Sequence, residues 1–188
     1  MERKNSIYNM VMTALILGLI MLSTAVFKIP VPLTQGYVHL GDTMIFLGVL
    51  VLGRKNGCIA AGIGSALADV MAGYAMYAPW TLVVKGLMAF VMATFIDAVA
   101  KKEKNSLKIA GLPVAEVIGM FLGGVIMVAG YFAADGFLAG NMAAGVLGVP
   151  ANIGQFIVGM VLASALAAAL YKTPAKKYFA YRLDCTRQ

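Results

Sequence analysis

Long apolar runs, separated by short polar or glycine-rich stretches, set the pattern of this chain. A hydrocarbon core of about 30 Å is crossed by about 20 apolar helical residues. Six segments fit or nearly fit that length: about Tyr8–Phe27, Leu40–Leu52, Gly57–Gly73, Trp80–Ala100, Leu112–Ala134 and Pro150–Tyr171. The second is short. It is tilted, buried inside the bundle, or part of a re-entrant hairpin, since a short span opening on an Asp suits a helix shielded by protein. The pattern predicts an all-α integral membrane protein, a bundle of six transmembrane helices in a single membrane domain over residues 1–188.

Composition supports this reading. Apolar residues make up 61% of the chain and charged residues 12%, with mean hydropathy +0.87. A soluble domain carries roughly twice that charge. The net charge of +7 does not signal nucleic acid, because the basic residues lie in short runs between apolar segments and form no single face. All of the 15 Lys and Arg except Lys28 and Lys85 fall in the two tails and alternate connections. By the positive-inside rule, the N- and C-termini are expected to be cytoplasmic. The connections expected outside are then Lys28–His39, Tyr74–Pro79 and Asp135–Val149, rich in Gly, Pro and aromatics. Cys58 and Cys185 both fall on the inner side, where a disulfide is not expected.

Polar residues inside the apolar runs carry the chemistry, because charge in a membrane span is costly and normally has a partner and a role. Asp42, Asp69, Lys85, Asn152, Gln155 and the single histidine, His39, all converge on the outer half. Asp97 and Glu116 lie near inner ends, within reach of interfacial basic residues. The inner half is otherwise apolar, so a relay of ionisable groups across the full depth is not expected. The pattern describes a pocket open outside and sealed below.

Each residue has a plainer reading as well. Asp69 and Lys85 form an ion pair tying the third segment to the fourth, or one of them contacts a substrate. Asp42 reads as a helix N-cap after Gly41. His39 reads as a loop residue at the pocket rim. Asn152 and Gln155 sit one turn apart after Pro150 and bind backbone or ligand. Tyr37, Tyr74, Tyr77, Trp80, Tyr131, Phe132 and Phe137 either stack on a flat ring or form an interfacial belt. Small residues at Ala14 and Gly18 permit close helix approach, within the bundle or to a partner. Nucleotide-binding, metal-protease and hydrolase motifs are absent, as is any metal-ligand spacing, so neither catalysis nor a cofactor is expected.

Several stretches together resemble a known family: Ala14-x-x-x-Gly18, VHLGDT at Val38–Thr43, LGRKNG at Leu52–Gly57, GIGSALADVMAGYAMYAP at Gly62–Pro79, VKG at Val84–Gly86 and VPANIGQ at Val149–Gln155. The chain resembles the S-components, the substrate-capture membrane subunits of energy-coupling factor (ECF) vitamin transporters. The resemblance implies six helices and a vitamin or precursor bound at the outer face. It also implies docking on a transmembrane coupling subunit driven by two cytosolic ATPases, in the plasma membrane of a prokaryote. The first-helix docking face would be Ala14 and Gly18, where Gly18 departs from the family's usual alanine. Family ligand contacts match positions around Tyr37, Lys85, Tyr131 and Asn152, beside His39, Asp69, Tyr77 and Gln155 from the pattern above. A pyridoxine or hydroxymethylpyrimidine type of ligand is expected first and riboflavin next. A stand-alone secondary transporter and a non-transporting membrane assembly factor are the alternatives.

Overall fold

The computed structural model describes residues 2–30, 37–100, 108–109 and 111–181, with side chains from Ile7 onward. Cys185, Arg182, Arg187 and Lys101, Lys102 and Lys104 lie outside the described residues, and of Arg3 and Lys4 only the backbone is described. Five helices account for most of the fold: α1 (Glu2–Val26), α2 (Gly41–Ala72), α3 (Ala78–Ala100), α4 (Val114–Leu138) and α5 (Met142–Tyr171). Each is long and apolar enough to cross a membrane. Two short antiparallel hairpins join them, β1 (Lys28–Pro30) with β2 (Tyr37–His39), and β3 (Lys108–Ile109) with β4 (Leu112–Pro113).

The expected segments 40–52 and 57–73 fall within the single range of α2, which differs from six separate spans. Gly53 explains how. Its backbone lies at φ 74°, ψ −172°, a region open essentially to glycine alone, and it breaks the helix. Beyond the break the chain turns back. A Cβ on Gly57 would stand 3.1 Å from the Cα of Val49, whereas eight residues of continuous helix span about 12 Å. Gly41–Leu52 and Arg54–Ala72 are therefore two limbs of a tight hairpin. The shorter limb is buried over most of its length, including Ile45, Phe46, Val49 and Leu50. Protein, not lipid, surrounds it, which is the condition for a helix too short to span alone.

Small residues set the close approaches. A Cβ at Gly64 would sit 3.0 Å from the Leu17 carbonyl oxygen on α1, and one at Gly159 would sit 2.9 Å from the Asp42 Cβ. Ala61, Ala68, Ala163 and Ala167 are fully buried. Helix α2 thereby touches α1, α3 and α5, while α3 packs on α4 and α4 on α5. The core of Phe46, Met88, Met92, Ile96, Met120 and Met127 runs down the middle.

A second boundary differs from expectation. The stretch 135–149 was expected as a connection, yet α4 runs to Leu138 and α5 starts at Met142. The Asn141 side chain accepts the Ala143 N–H at 2.9 Å and starts α5 two turns before Pro150. Pro150 stays inside the helix, exposed and without an N–H to donate to the preceding turn.

Candidate functional site

The beginnings and ends of the helices bring polar residues together at one end of the bundle. There, β2 supplies Tyr37 and His39, the long limb of α2 supplies Asp69, and the entry to α3 supplies Tyr77 and Thr81. Tyr131 and Asp135 come from the last turns of α4, and Gly148, Asn152 and Gln155 from α5. Between these walls lies a cavity of about 30 Å³, room for little more than one water molecule. Ligand sites run to about 300–1,000 Å³, so the side chains here fill most of the space a ligand would take.

Seven of the eight expected binding residues line this cavity: Tyr37, His39, Asp69, Tyr77, Tyr131, Asn152 and Gln155. Lys85 does not. It lies beneath, fully buried, with its ammonium on the Asp42 carboxylate and 5.2 Å from the centre of the Tyr131 ring. The expected Asp69–Lys85 pair is thus replaced by Asp42–Lys85. The hairpin at Gly53 carries Asp42 to Lys85, and the pair then needs no carboxylate from the longer limb.

Asp42 is also not the expected N-cap. Leu40 holds that position and makes no side-chain cap bond. In a low-dielectric interior, a buried ammonium binds a carboxylate far better than a backbone N–H does. The second Asp42 oxygen accepts from the Gln155 amide at 2.9 Å, and Gln155 Oε1 in turn accepts the His39 backbone N–H at 2.9 Å. Charge and hydrogen bonds in this floor are matched.

His39 is buried, not a rim residue. Its Nδ1 accepts the Gly41 N–H at 3.0 Å, so the ring proton sits on Nε2. Burial and the Lys85 charge hold its pKa down to about 3, against 6.5 ordinarily.

The walls are organised differently. Tyr37 donates its hydroxyl to Asp69 Oδ1 at 2.7 Å, and Tyr77 donates to Asp135 Oδ1 at 2.8 Å. Burial first, and then the adjoining carboxylate, push both phenols well above their usual range, so both stay donors. Thr81 and Tyr131 share a bond of 3.0 Å. Tyr37 also packs on Tyr74, with ring centres 4.5 Å apart. Trp80 and Phe137 pack on each other away from the cavity, with Phe137 strongly exposed, as members of an interfacial belt do.

Thr81, Asp135 and Gly148 were not expected from sequence. Asp135 carried a signal, an acid within the aromatic stretch Tyr131–Phe137. Gly148 carried none, since its role is to leave room: a Cβ there would strike Asp135 Oδ2.

At the opposite, basic end, Arg54 and Asp97 pair loosely at 3.6 Å with both side chains partly exposed. Glu116, expected at the interface, is instead fully buried and accepts the Tyr171 hydroxyl at 2.6 Å. Among the described residues, no cluster of His, Cys, Asp or Glu could hold a metal ion.

A bundle of apolar helices that closes a small polar pocket at one end, above a neutralised floor, has the build of a solute-binding membrane protein. Comparison with known families makes this specific. The model of the ECF-type riboflavin transporter S component family matches residues 4–172, and the chain belongs to that family. It is a transporter component, and families of this kind are not enzymes. An uncharacterized protein of Pyrococcus woesei is 35% identical over 150 residues, covering 80% of this chain and 93% of its own. The thiamine precursor transporter HmpT of Lactococcus lactis subsp. cremoris is 28% identical over 174 residues, covering 92% and 93%.

Proposed function

We propose that this protein captures a small water-soluble vitamin or precursor from outside the cell and delivers it through an ECF-type importer. The pocket end faces outward. The two limbs of α2 count as separate spans in a single six-span domain, with both termini in the cytoplasm of a prokaryotic cell. The observation that carries this reading is the cavity lined by Tyr37, Asp69, Tyr131 and Asn152.

A one-ring ligand of the hydroxymethylpyrimidine or pyridoxine type suits the site first. The closely lined cavity favours it over riboflavin, and the HmpT relative supports the same choice. Riboflavin comes next, on the description of the matching family. Binding would engage Tyr37, His39, Asp69, Tyr77, Tyr131, Asn152 and Gln155, with Lys85 acting from below.

A transmembrane coupling subunit and two cytosolic ATPases would supply the energy. The coupling subunit would dock on α1, where Ala14 is exposed and a Cβ on Gly18 would meet nothing within 4 Å. Equilibrium titration of the purified protein with a panel of vitamins and precursors tests the reading. Micromolar or tighter binding of a one-ring compound is expected, and binding of no ring compound overturns it. Gly18→Leu should leave that binding intact while preventing copurification of the coupling subunit.

A further inference from the structure

We propose that a groove beside the polar cavity binds one anionic phospholipid, with an acyl chain lying in the groove and the headgroup phosphate held by Lys28. The groove is a second site, and its occupant is the same whichever solute the cavity takes.

The end of α1, the β1–β2 hairpin and α5 border this groove, which has a volume of about 500 Å³. That lies within the size range of ligand sites, which the polar cavity does not reach. Strand β2 packs against both helices. Phe27, Ile29 and Val158 line the groove and are exposed. On helices that cross a membrane, such a surface meets lipid tails.

Gly154 leaves the groove open. Glycine is unfavourable inside a helix, and Gly159 has a packing reason, since a Cβ there would stand 2.9 Å from the Asp42 Cβ. At Gly154 a Cβ would meet nothing within 4 Å, although the residue lines the groove. No described part of the protein uses that space, which leaves it for an occupant from the membrane.

Lys28 selects the headgroup. It lines the groove, is exposed, and makes no ion pair among the described residues. No acidic residue is among those that line the groove. Apart from the buried Lys85, it is the one Lys or Arg of the sequence outside the tails and the basic connections. A lysine stem covers apolar surface while its ammonium stays at headgroup level. There it attracts lipid of net negative charge, whereas a choline headgroup brings its own cation. His39 and Gln155 line both the groove and the cavity, and the His39 N–H donates to Gln155 Oε1 at 2.9 Å. Lipid and solute thus lie on two sides of one hydrogen-bonded partition.

Quenching by brominated lipids tests this. A reporter chain carries Phe27→Trp in the groove and Trp80→Phe, which removes the single native tryptophan. It is reconstituted at full length in phosphatidylcholine vesicles, and chain-brominated phosphatidylglycerol or phosphatidylcholine replaces a rising share of the lipid. The reporter should favour phosphatidylglycerol by about fivefold, the effect of one lysine at an anionic surface. Lys28→Gln should bring the ratio to unity. Gly154→Leu fills the groove from α5 and should do the same, with a melting temperature no lower than that of the reporter chain. Ala151→Leu, one turn earlier on the same wall, repeats that arm with a second variant. Equal quenching by the two lipids in the reporter chain overturns the proposal. A preference that survives Lys28→Gln overturns it as well, because the selecting charge then lies elsewhere. A preference that survives both Gly154→Leu and Ala151→Leu means adsorption by charge alone, with no chain in the groove, and also overturns it.

Discussion

The floor and the walls of the pocket use the same residue types to opposite ends. In the floor, Asp42, Lys85 and Gln155 saturate one another, and His39 is tied through its backbone and its Nδ1. In the walls, Asp69 has the hydroxyls of Tyr37 and Thr81 beside it but no cation against it, and Asn152 and Asp135 line the cavity. A saturated buried network fixes a fold, and an unsaturated one keeps capacity for a ligand. Burial and charge alone would have marked Lys85 as the functional residue. Counting its partners shows that Lys85 is held in the floor by Asp42, while Asp69 lines the cavity.

The largest expected effect comes from breaking the floor. Lys85→Ala should strand the Asp42 carboxylate and cost about 3–5 kcal/mol of stability. Thermal unfolding in detergent would show it, and a parallel Asp42→Leu/Lys85→Met protein should recover much of the loss. If Lys85→Ala melts as wild type and only loses ligand, the floor and wall roles are exchanged.

The next effect tests how the floor is assembled. Gly53→Ala forces a side chain into a backbone region that only glycine occupies easily. It should destabilise by about 1–3 kcal/mol without touching any wall residue. Affinity per folded molecule should stay unchanged in a titration corrected for active fraction.

Acidification should probe the junction between floor and wall. The folded pKa of His39 is depressed to about 3, so between that value and 6.5 the unfolded state binds the extra proton. Stability is therefore full above 6.5 and falls as pH drops through the window, by up to about 1.4 kcal/mol per pH unit well below 6.5. Melting curves from pH 7 to pH 5 should show the decline, and His39→Gln should flatten it. A His39→Gln protein with the same slope would assign the dependence to other groups.

The smallest effect is expected at the basic end. The Arg54–Asp97 pair is long and wet, so Arg54→Ala should cost no more than about 1 kcal/mol. Its effect should shrink further in high salt.

Sequence made much of this legible. Apolar run lengths gave the membrane class, and depth along those runs gathered Asp69, Asn152, Gln155 and the tyrosines at one end. Seven of the eight expected contacts line one cavity as a result. The partner of Lys85 was not legible. Both Asp42 and Asp69 lie at a suitable depth, and only the reversal at Gly53 decides which carboxylate reaches the ammonium. The β1–β2 hairpin was not legible either, because three-residue strands are too short for an alternation pattern to register. Asp135 was lost to a misplaced connection, since Pro150 reads as a helix start while Asn141 performs that role two turns earlier.

By itself, the sequence determined where the chain meets lipid and at which end polar groups collect, because the free energy of placing a side chain in hydrocarbon depends on residue type and depth alone. Only the tertiary structure decided which of those groups satisfy one another. A hydrogen bond or ion pair requires contact across helices, and helix–helix register depends on glycine approaches such as Gly57 to Val49 and Gly159 to Asp42. The pairing of Lys85 with Asp42, and not with Asp69, is a product of that arrangement.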